Sequence, residues 1–172
     1  MITLDLLNAM DRAAFVAAVG DIFEHAPWVA ERAYAARPFA GIAALHDAMM
    51  QAVREAPHET QLALLRGHPE LGGKVARAGA MTKDSVAEQG GLGLDRLNET
   101  DFARFERANT AYRAKFGFPF IVCVRRHNSA QSILANFEQR VGNDRAAELA
   151  AALDEIGYIT RLRLDDRIMQ SV

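Results

Sequence analysis

The sequence has few cysteines and little net charge. It has 172 residues, one cysteine and a formal net charge of −2. The single cysteine, Cys123, excludes an intramolecular disulfide, and its place in the apolar run FPFIVCV is typical of a buried side chain. Basic and acidic residues are mixed along the chain, so no basic face is available to neutralise phosphates. A nucleic-acid partner is therefore not expected.

The sequence also lacks a long uninterrupted hydrophobic run. The first residues, MITLDLLNAMDRAAFVAAV, have no basic segment and carry Asp5 and Asp11 within their apolar part. They predict neither a signal peptide nor a membrane span. We therefore expect a cytoplasmic protein without a membrane partner.

Apolar residues at three- and four-residue spacing are abundant, and glycine and proline lie between such segments. This pattern predicts an all-α fold, a single-domain bundle of about eight helices over residues 1–172. The predicted helices lie near 12–23, 28–36, 41–55, 59–66, 82–89 and 98–116. We expect Asn98 or Thr100 to cap the last of these, Ser129 to cap a further helix, and Asp144 to cap a final one that runs toward 169. Residues 117–124 break the helical period and are predicted to form an irregular apolar segment.

Five histidines are present, and none has a ligand spacing typical of zinc, so the sequence predicts no metal site. His68 differs from the others because it follows Gly67 at a predicted helix end and precedes Pro69. Proline disfavours α-conformation in the residue before it, which would turn the imidazole off the regular helix surface. A histidine that interacts with the helix dipole is the alternative interpretation.

Polar side chains are grouped in the segment TKDSVAEQGG. Ser85, Glu88 and Gln89 are spaced i, i+3 and i+4, so one face of a short helix would carry a hydroxyl, a carboxylate and an amide. Such a face can bind a polar ligand. The alternative is a capping box, with Ser85 as the N-cap and Glu88 as its partner, although Thr82 or Asp84 could also cap this helix.

The segment KFGFPFIVCV combines three phenylalanines with glycine and proline. Its main-chain donors and acceptors would need partners if the segment is buried. Either the protein core or a planar polar ligand could supply them, and the composition alone is typical of core packing.

Together these segments resemble the 2-oxo-4-hydroxy-4-carboxy-5-ureidoimidazoline (OHCU) decarboxylase family, whose enzymes form (S)-allantoin in urate degradation. The resemblance covers nearly the whole chain and depends on five motifs that occur in the family's order. They are RPFAGIAALHDAM, LLRGHPELGGK, DSVAEQGGLGLDRL, FARFERANTAYRAKFGFPFIVCV and ITRLRLDDRI.

The resemblance implies an all-α, cofactor-independent lyase that is commonly a homodimer and acts on a small ureidoimidazoline. It implies that His68 is catalytic with Glu88 as its acidic partner, and that Arg163, or Arg161 one step away, is the site arginine. The implied substrate-binding residues are Pro69, Ser85, Gln89, Phe120, Ile121, Val122, Cys123 and Val124, the last few through main-chain groups. A helical protein that binds a ureide or purine without turnover, and a structural interaction module, are the alternatives.

Overall fold

The computed structural model describes residues 1–72 and 81–170. In this part the chain forms nine α-helices, so the prediction of an all-α fold is confirmed. They are α1 (Leu4–Ala9), α2 (Arg12–Val19), α3 (Trp28–Ala33), α4 (Ile42–Arg54), α5 (His58–Arg66), α6 (Lys83–Gly91), α7 (Glu99–Phe116), α8 (Ala130–Val141) and α9 (Arg145–Arg167). Two short 3-10 helices, Tyr34–Ala36 and Val124–Arg126, and two strands, β1 (Ile2–Thr3) and β2 (Ile168–Met169), complete the description. None of the described helices is long and apolar enough to cross a membrane.

The predicted helix caps are present in the second half of the chain. Asn98, Ser129 and Asp144 each accept a hydrogen bond from the main-chain N–H three residues later, at 2.8, 3.1 and 2.8 Å. These bonds satisfy N–H groups that have no partner within the helix. At the other end of α7, Gly117 has a φ of +79°, which glycine adopts without a steric cost, and this stops the helix before the irregular segment.

One helix and two helix ends differ from the sequence-based expectations. Helix α1 was not predicted, and α2 ends at Val19 rather than near 23. The last helix ends at Arg167 because Ile168 and Met169 form β2, which pairs in parallel with Ile2 and Thr3 of β1. A two-residue strand pair between distant parts of the chain has no local sequence signature.

The chain forms two compact units. The first unit consists of residues 1–67 and 157–172, and the second unit of residues 68–156. In the first unit α3 packs on α2 and α4, and the two strands join the ends of the chain. Its core contains the fully buried residues Leu7, Phe15, Ile22, Val29, Leu45, Met49, Val53 and Leu65.

The core of the second unit is an aromatic cluster between α7, α8 and the segment that joins them. The Tyr112 ring lies 4.6 to 5.9 Å from its four neighbours, measured between ring centroids. Those neighbours are Phe116, Phe118, Phe120 and Phe137. Because these rings come from three elements, the cluster fixes the segment after α7 against both helices.

Candidate active site

His68 begins a short loop, residues 68–72, that follows α5 and is called the His68 loop below. The His68 side chain is 7% exposed, so it is not a solvent-facing histidine at a helix end. Its Nε2 atom is buried and has no hydrogen-bond partner among the described residues, while His68 takes part in further interactions with its surroundings. Pro69 has a fixed φ and no N–H, which gives the loop a rigid start.

Helix α6 carries the hydroxyl, carboxylate and amide that the sequence placed on one face. Thr82 is the N-cap and accepts a hydrogen bond from the Ser85 N–H at 3.4 Å. The alternative in which Ser85 caps this helix is therefore wrong. Ser85 and Gln89 are buried and Glu88 is half-buried, so the face that carries them is turned into the protein.

Gln89 joins α6 to the His68 loop. Its Oε1 accepts a hydrogen bond from the Gly72 N–H at 3.1 Å, and its Nε2 donates to the Glu70 carbonyl at 3.1 Å. The same Nε2 lies 3.3 Å from the sulfur of Met81, a weak acceptor. The amide therefore binds the main chain of the loop in both directions and holds the loop against the helix that presents Ser85 and Glu88.

The apolar segment, residues 117–124, is irregular as predicted, and charged side chains hold its main chain. The Ile121 carbonyl accepts a hydrogen bond from Arg140 Nη1 at 2.7 Å, and the Cys123 N–H donates to Glu155 Oε2 at 2.8 Å. Val122 lies between them, and no described residue forms a hydrogen bond with its main chain. The same holds for Phe120, so the main chains of Phe120 and Val122 are both available to a polar ligand.

Phe120 has its side chain in the aromatic cluster. The ring is fully buried and stacks on Phe137, with ring centroids 3.9 Å apart. Any contribution of Phe120 to a ligand site must therefore come through its main chain.

Helix α6 also lies next to the apolar segment. It contacts the 3-10 helix Val124–Arg126, which continues that segment. Burial raises the pKa of the Cys123 thiol, and the negative charges of Glu155 and then Glu88 raise it further. Glu88 therefore exerts its field on the apolar segment while Gln89, the next residue, binds the His68 loop. All predicted site residues except the arginine thus belong to the second unit.

Arg163 belongs to the first unit and is 4% exposed. Its Nη1 donates to the Ile22 carbonyl at 3.1 Å, and its Nη2 donates to Glu24 Oε1 at 2.9 Å. Glu24 is itself buried and has a φ of +55°, which is uncommon for a residue other than glycine. Arg161, by contrast, is only half-buried and pairs with Asp165 four residues later at 3.0 Å. Arg163 is therefore the buried arginine of the pair that the sequence left open.

Sequence reasoning missed three side chains that hold the site in place: Asn109, Arg140 and Glu155. Asn109 Nδ2 donates to the Leu71 carbonyl at 3.0 Å. A signal for Asn109 was present, since it is a polar residue on the buried stripe of α7 formed by Phe105, Tyr112 and Phe116. Arg140 and Glu155 had no comparable signal, because each looks like an ordinary charged helix residue.

The arrangement in the second unit is suited to proton transfer and to hydrogen bonding of a polar ligand. It offers an imidazole, a hydroxyl, a carboxylate and main-chain amides within one compact unit. Within residues 1–72 and 81–170, no three His, Cys, Asp or Glu side chains are grouped so that they could hold a metal ion.

Comparison with known proteins gives a consistent result. The family model described as OHCU decarboxylase matches residues 8–165. The 2-oxo-4-hydroxy-4-carboxy-5-ureidoimidazoline decarboxylase of Haloferax volcanii is 44% identical over 166 residues, which are 96% of each chain. The uric acid degradation bifunctional protein of Bacillus subtilis is 40% identical over 173 residues, and the match covers 99% of this chain and 33% of that protein.

A solved structure shows the same likeness in three dimensions. The crystal structure of an (S)-allantoin synthase superposes with a TM-score of 0.77 at 27% sequence identity. The match covers 98% of this chain and 54% of that one.

Proposed function

The chain belongs to the OHCU decarboxylase family, and from this premise we propose that His68 is the proton-transfer residue of a cofactor-independent decarboxylation. The activity is that of a carboxy-lyase in urate degradation, in which 2-oxo-4-hydroxy-4-carboxy-5-ureidoimidazoline loses CO₂ and gives (S)-allantoin. The observation that carries the proposal is the pair of Gln89 hydrogen bonds, which hold the His68 loop against the helix bearing Ser85 and Glu88.

The substrate itself explains why few groups suffice. It carries a carboxylate and a hydroxyl on one ring carbon, next to a ring imine. When the bond to the carboxylate breaks, CO₂ leaves and its electron pair moves toward the imine nitrogen. The nitrogen takes up a proton from solvent, which gives a neutral enol-like intermediate. A proton then adds to the ring carbon that bears the ureido group, and the hydroxyl loses its proton to become a carbonyl. The protein needs only to orient the carboxylate and to move protons.

Histidine is suited to both proton transfers because it titrates near neutral pH. We propose that His68 takes the hydroxyl proton and returns a proton to one face of the intermediate, which sets the (S) configuration. Glu88 would orient the imidazole and stabilise its positive charge, as a carboxylate does for other catalytic histidines. Arg163 would hold an anionic oxygen of the substrate with its planar donor fork.

Substrate binding in this proposal uses the elements around α6. Pro69, Ser85 and Gln89 would line the site. The main chain from Phe120 to Val124 would bind the ureido and ring amides. Since Arg140 and Glu155 already occupy the Ile121 carbonyl and the Cys123 N–H, we expect Phe120 and Val122 to contribute most.

We further propose that residues 1–172 act as one domain, in the cytoplasm and as a homodimer. The family match runs from residue 8 to 165 and so includes residues of both compact units, which supports one functional domain. A single, buried cysteine agrees with a reducing compartment. The homodimer follows from the family resemblance, and light scattering of the purified protein tests it, with a monomeric mass as the contradicting result.

The proposed function is tested by measuring which enantiomer of allantoin forms. Urate oxidase and hydroxyisourate hydrolase generate the unstable substrate in situ from urate, and circular dichroism follows the allantoin that forms. We expect the protein to give one enantiomer rapidly and His68→Ala to lose this effect. His58→Ala is the matched control, because His58 is exposed at the opposite end of α5 from the His68 loop and should leave the activity unchanged.

Two results would contradict the proposal. Racemic allantoin at the spontaneous rate in the presence of the wild-type protein would remove the decarboxylase activity and favour ureide binding without turnover. Unchanged rate and chirality in His68→Ala would remove His68 from the chemistry. Loss of chirality with CO₂ release retained would mean that His68 delivers the final proton but does not assist the bond cleavage.

A further inference from the structure

The main chain of the His68 loop is held by amide side chains from two helices. Gln89 on α6 binds the Glu70 carbonyl and the Gly72 N–H, both at 3.1 Å. Asn109 on α7 binds the Leu71 carbonyl at 3.0 Å. Three consecutive residues of the loop are thus bound by two neutral side chains, which we call the amide clamp.

Burial makes the amide clamp selective for its residue types. Gln89 and Asn109 are 3% and 4% exposed, so water does not replace a bond that is lost. Gln89 must both accept and donate at the same place, and among uncharged side chains only an amide offers a carbonyl oxygen and an NH₂ group together. A carboxylate would present an oxygen to the Glu70 carbonyl, and an apolar side chain would leave both loop groups without partners.

Side chains also pack closely against the His68 loop at Gly72. Gly72 has a φ of +61°, and a Cβ atom there would lie 2.8 Å from the Leu97 side chain and 3.1 Å from the Phe105 ring. The loop is therefore packed tightly where the amide clamp holds it, and it cannot move in that direction. Pro69, whose φ is fixed, transmits the position of residues 70–72 to His68.

We infer that Gln89 and Asn109 are positioning residues that act on the reaction through His68, an inference that rests on the proposed function of His68. Gln89 also lines the proposed substrate site, but its amide is engaged by the loop. Its main effect is then on where the imidazole lies, and not on how tightly the substrate binds. Because loss of the amide clamp would displace His68 without removing a contact to the substrate, we expect kcat to change and KM to change little.

The first variant is Gln89→Met, which keeps the length of the side chain and removes both hydrogen bonds. We expect kcat to fall by up to about a hundredfold, as a displacement near 1 Å of a catalytic group can cause, with KM little changed. Gln61→Met is the matched control. Gln61 Nε2 donates to the Val53 and Arg54 carbonyls at 3.1 and 3.0 Å, so it is a second amide bound to main chain, but it lies in the first unit.

A second variant keeps the inference testable if Gln89→Met folds poorly. In Gln89→Glu, the carboxyl group can replace the amide only when it is protonated, because the O–H then donates to the Glu70 carbonyl. Protonation is therefore favoured in the folded state, which raises the pKa of this carboxyl. We expect the stability of Gln89→Glu to approach that of the wild-type protein as the pH falls through that pKa. A stability deficit that does not depend on pH would contradict the inferred donor role.

Nuclear magnetic resonance of the His68 ring separates this inference from the proposed function. The ring signals are assigned by their loss in His68→Ala and followed as a function of pH. We expect Gln89→Met and Asn109→Leu to move the His68 chemical shifts or titration midpoint, and Gln61→Met to leave them unchanged. Unmoved His68 signals in folded Gln89→Met and Asn109→Leu would overturn the inference. If the wild-type protein is inactive, the proposed function fails, but the signals still decide whether the clamp positions His68.

Discussion

Two irregular segments of the second unit, the His68 loop and the apolar segment, are both held by side chains that bind main-chain groups. The means are different. Neutral amides from Gln89 and Asn109 hold the His68 loop, whereas charged groups of Arg140 and Glu155 hold the apolar segment. Hydrogen bonds that involve a charged group are stronger than neutral ones, and their loss in a buried place costs more.

The charged support of the apolar segment is part of a buried network. Glu148 is fully buried and accepts hydrogen bonds from Arg140 Nε at 2.8 Å, from Asn143 Nδ2 at 2.9 Å and from the Tyr112 hydroxyl. Burial raises the pKa of Tyr112, and the hydrogen bond to Glu148 and its negative charge raise it further, so the hydroxyl stays protonated and donates. The Arg140 guanidinium also lies 4.6 Å from the centre of the Phe120 ring.

Because the two supports differ in this way, we expect mutations in one to reduce mainly stability and mutations in the other to reduce mainly activity. The network that supports the apolar segment shares its residues with the aromatic core, so its disruption should reduce the stability of the whole unit. The three hydrogen bonds of the amide clamp to main-chain groups all go to the loop that bears His68, so its disruption should affect the reaction more than the fold. Mutations in the two supports can therefore be compared directly.

The largest expected effect is that of Glu148→Ala on stability. The change leaves the buried Arg140 charge and Tyr112 hydroxyl, and the half-buried Asn143 amide, without their acceptor. This should lower the free energy of unfolding by about 3–5 kcal/mol. Urea unfolding followed by circular dichroism measures this. Glu138→Ala is the control, because Glu138 is exposed and its pair with Arg104 at 3.5 Å should contribute about 0–1 kcal/mol. Equal losses in the two variants would show that the buried network does not support the segment.

A smaller effect is expected for Glu155→Gln, which keeps an acceptor oxygen for the Cys123 N–H but removes the charge. The free energy of unfolding should fall by about 1 kcal/mol, the usual difference between a charged and a neutral hydrogen bond. Because the Glu155 charge raises the pKa of the Cys123 thiol, this pKa should fall toward its ordinary value. Glu88→Gln should lower the pKa less, since Glu88 makes the weaker contribution.

The ultraviolet absorbance of the thiolate, measured against pH, gives the pKa of Cys123 in each variant. Cys123→Ser provides the background from tyrosine ionisation. A thiol pKa that stays the same or rises in Glu155→Gln would contradict this account of the apolar segment.

Most helices were predictable because their signals are local. The apolar spacing located the helices between residues 12 and 167, and the caps Asn98, Ser129 and Asp144 were correct because each bonds within its own first turn. Helix α1 has six residues, as α3 does, but no proline precedes it to mark its start, and it was missed. The end of α9 was misplaced because Ile168 and Met169 pair with Ile2 and Thr3, a contact between the ends of the chain.

The candidate site was predictable only where its signals are local in the sequence. The spacing of Ser85, Glu88 and Gln89 placed them on one helix face, and Pro69 indicated a turn after His68. The sequence could not reveal that the Gln89 amide binds Glu70 and Gly72, because those bonds depend on how α6 meets the loop. The sequence also could not reveal that Arg140 binds the Ile121 carbonyl, because the two residues are far apart in sequence and meet only in the folded unit.

The smallest expected effect concerns an ion pair of the His68 loop, between Arg113 and Glu70 at 2.7 Å. Arg113 has 59% of its side-chain area exposed, so solvent screens the pair, unlike the buried Arg140. Arg113→Ala should lower the free energy of unfolding by less than about 1 kcal/mol. This loss should vanish near 1 M salt, where the Debye length falls to about 3 Å. Urea unfolding of both proteins at low and high salt measures it. A loss that persists at high salt would mean that Arg113 supports the His68 loop through packing, or through a pair that solvent does not screen.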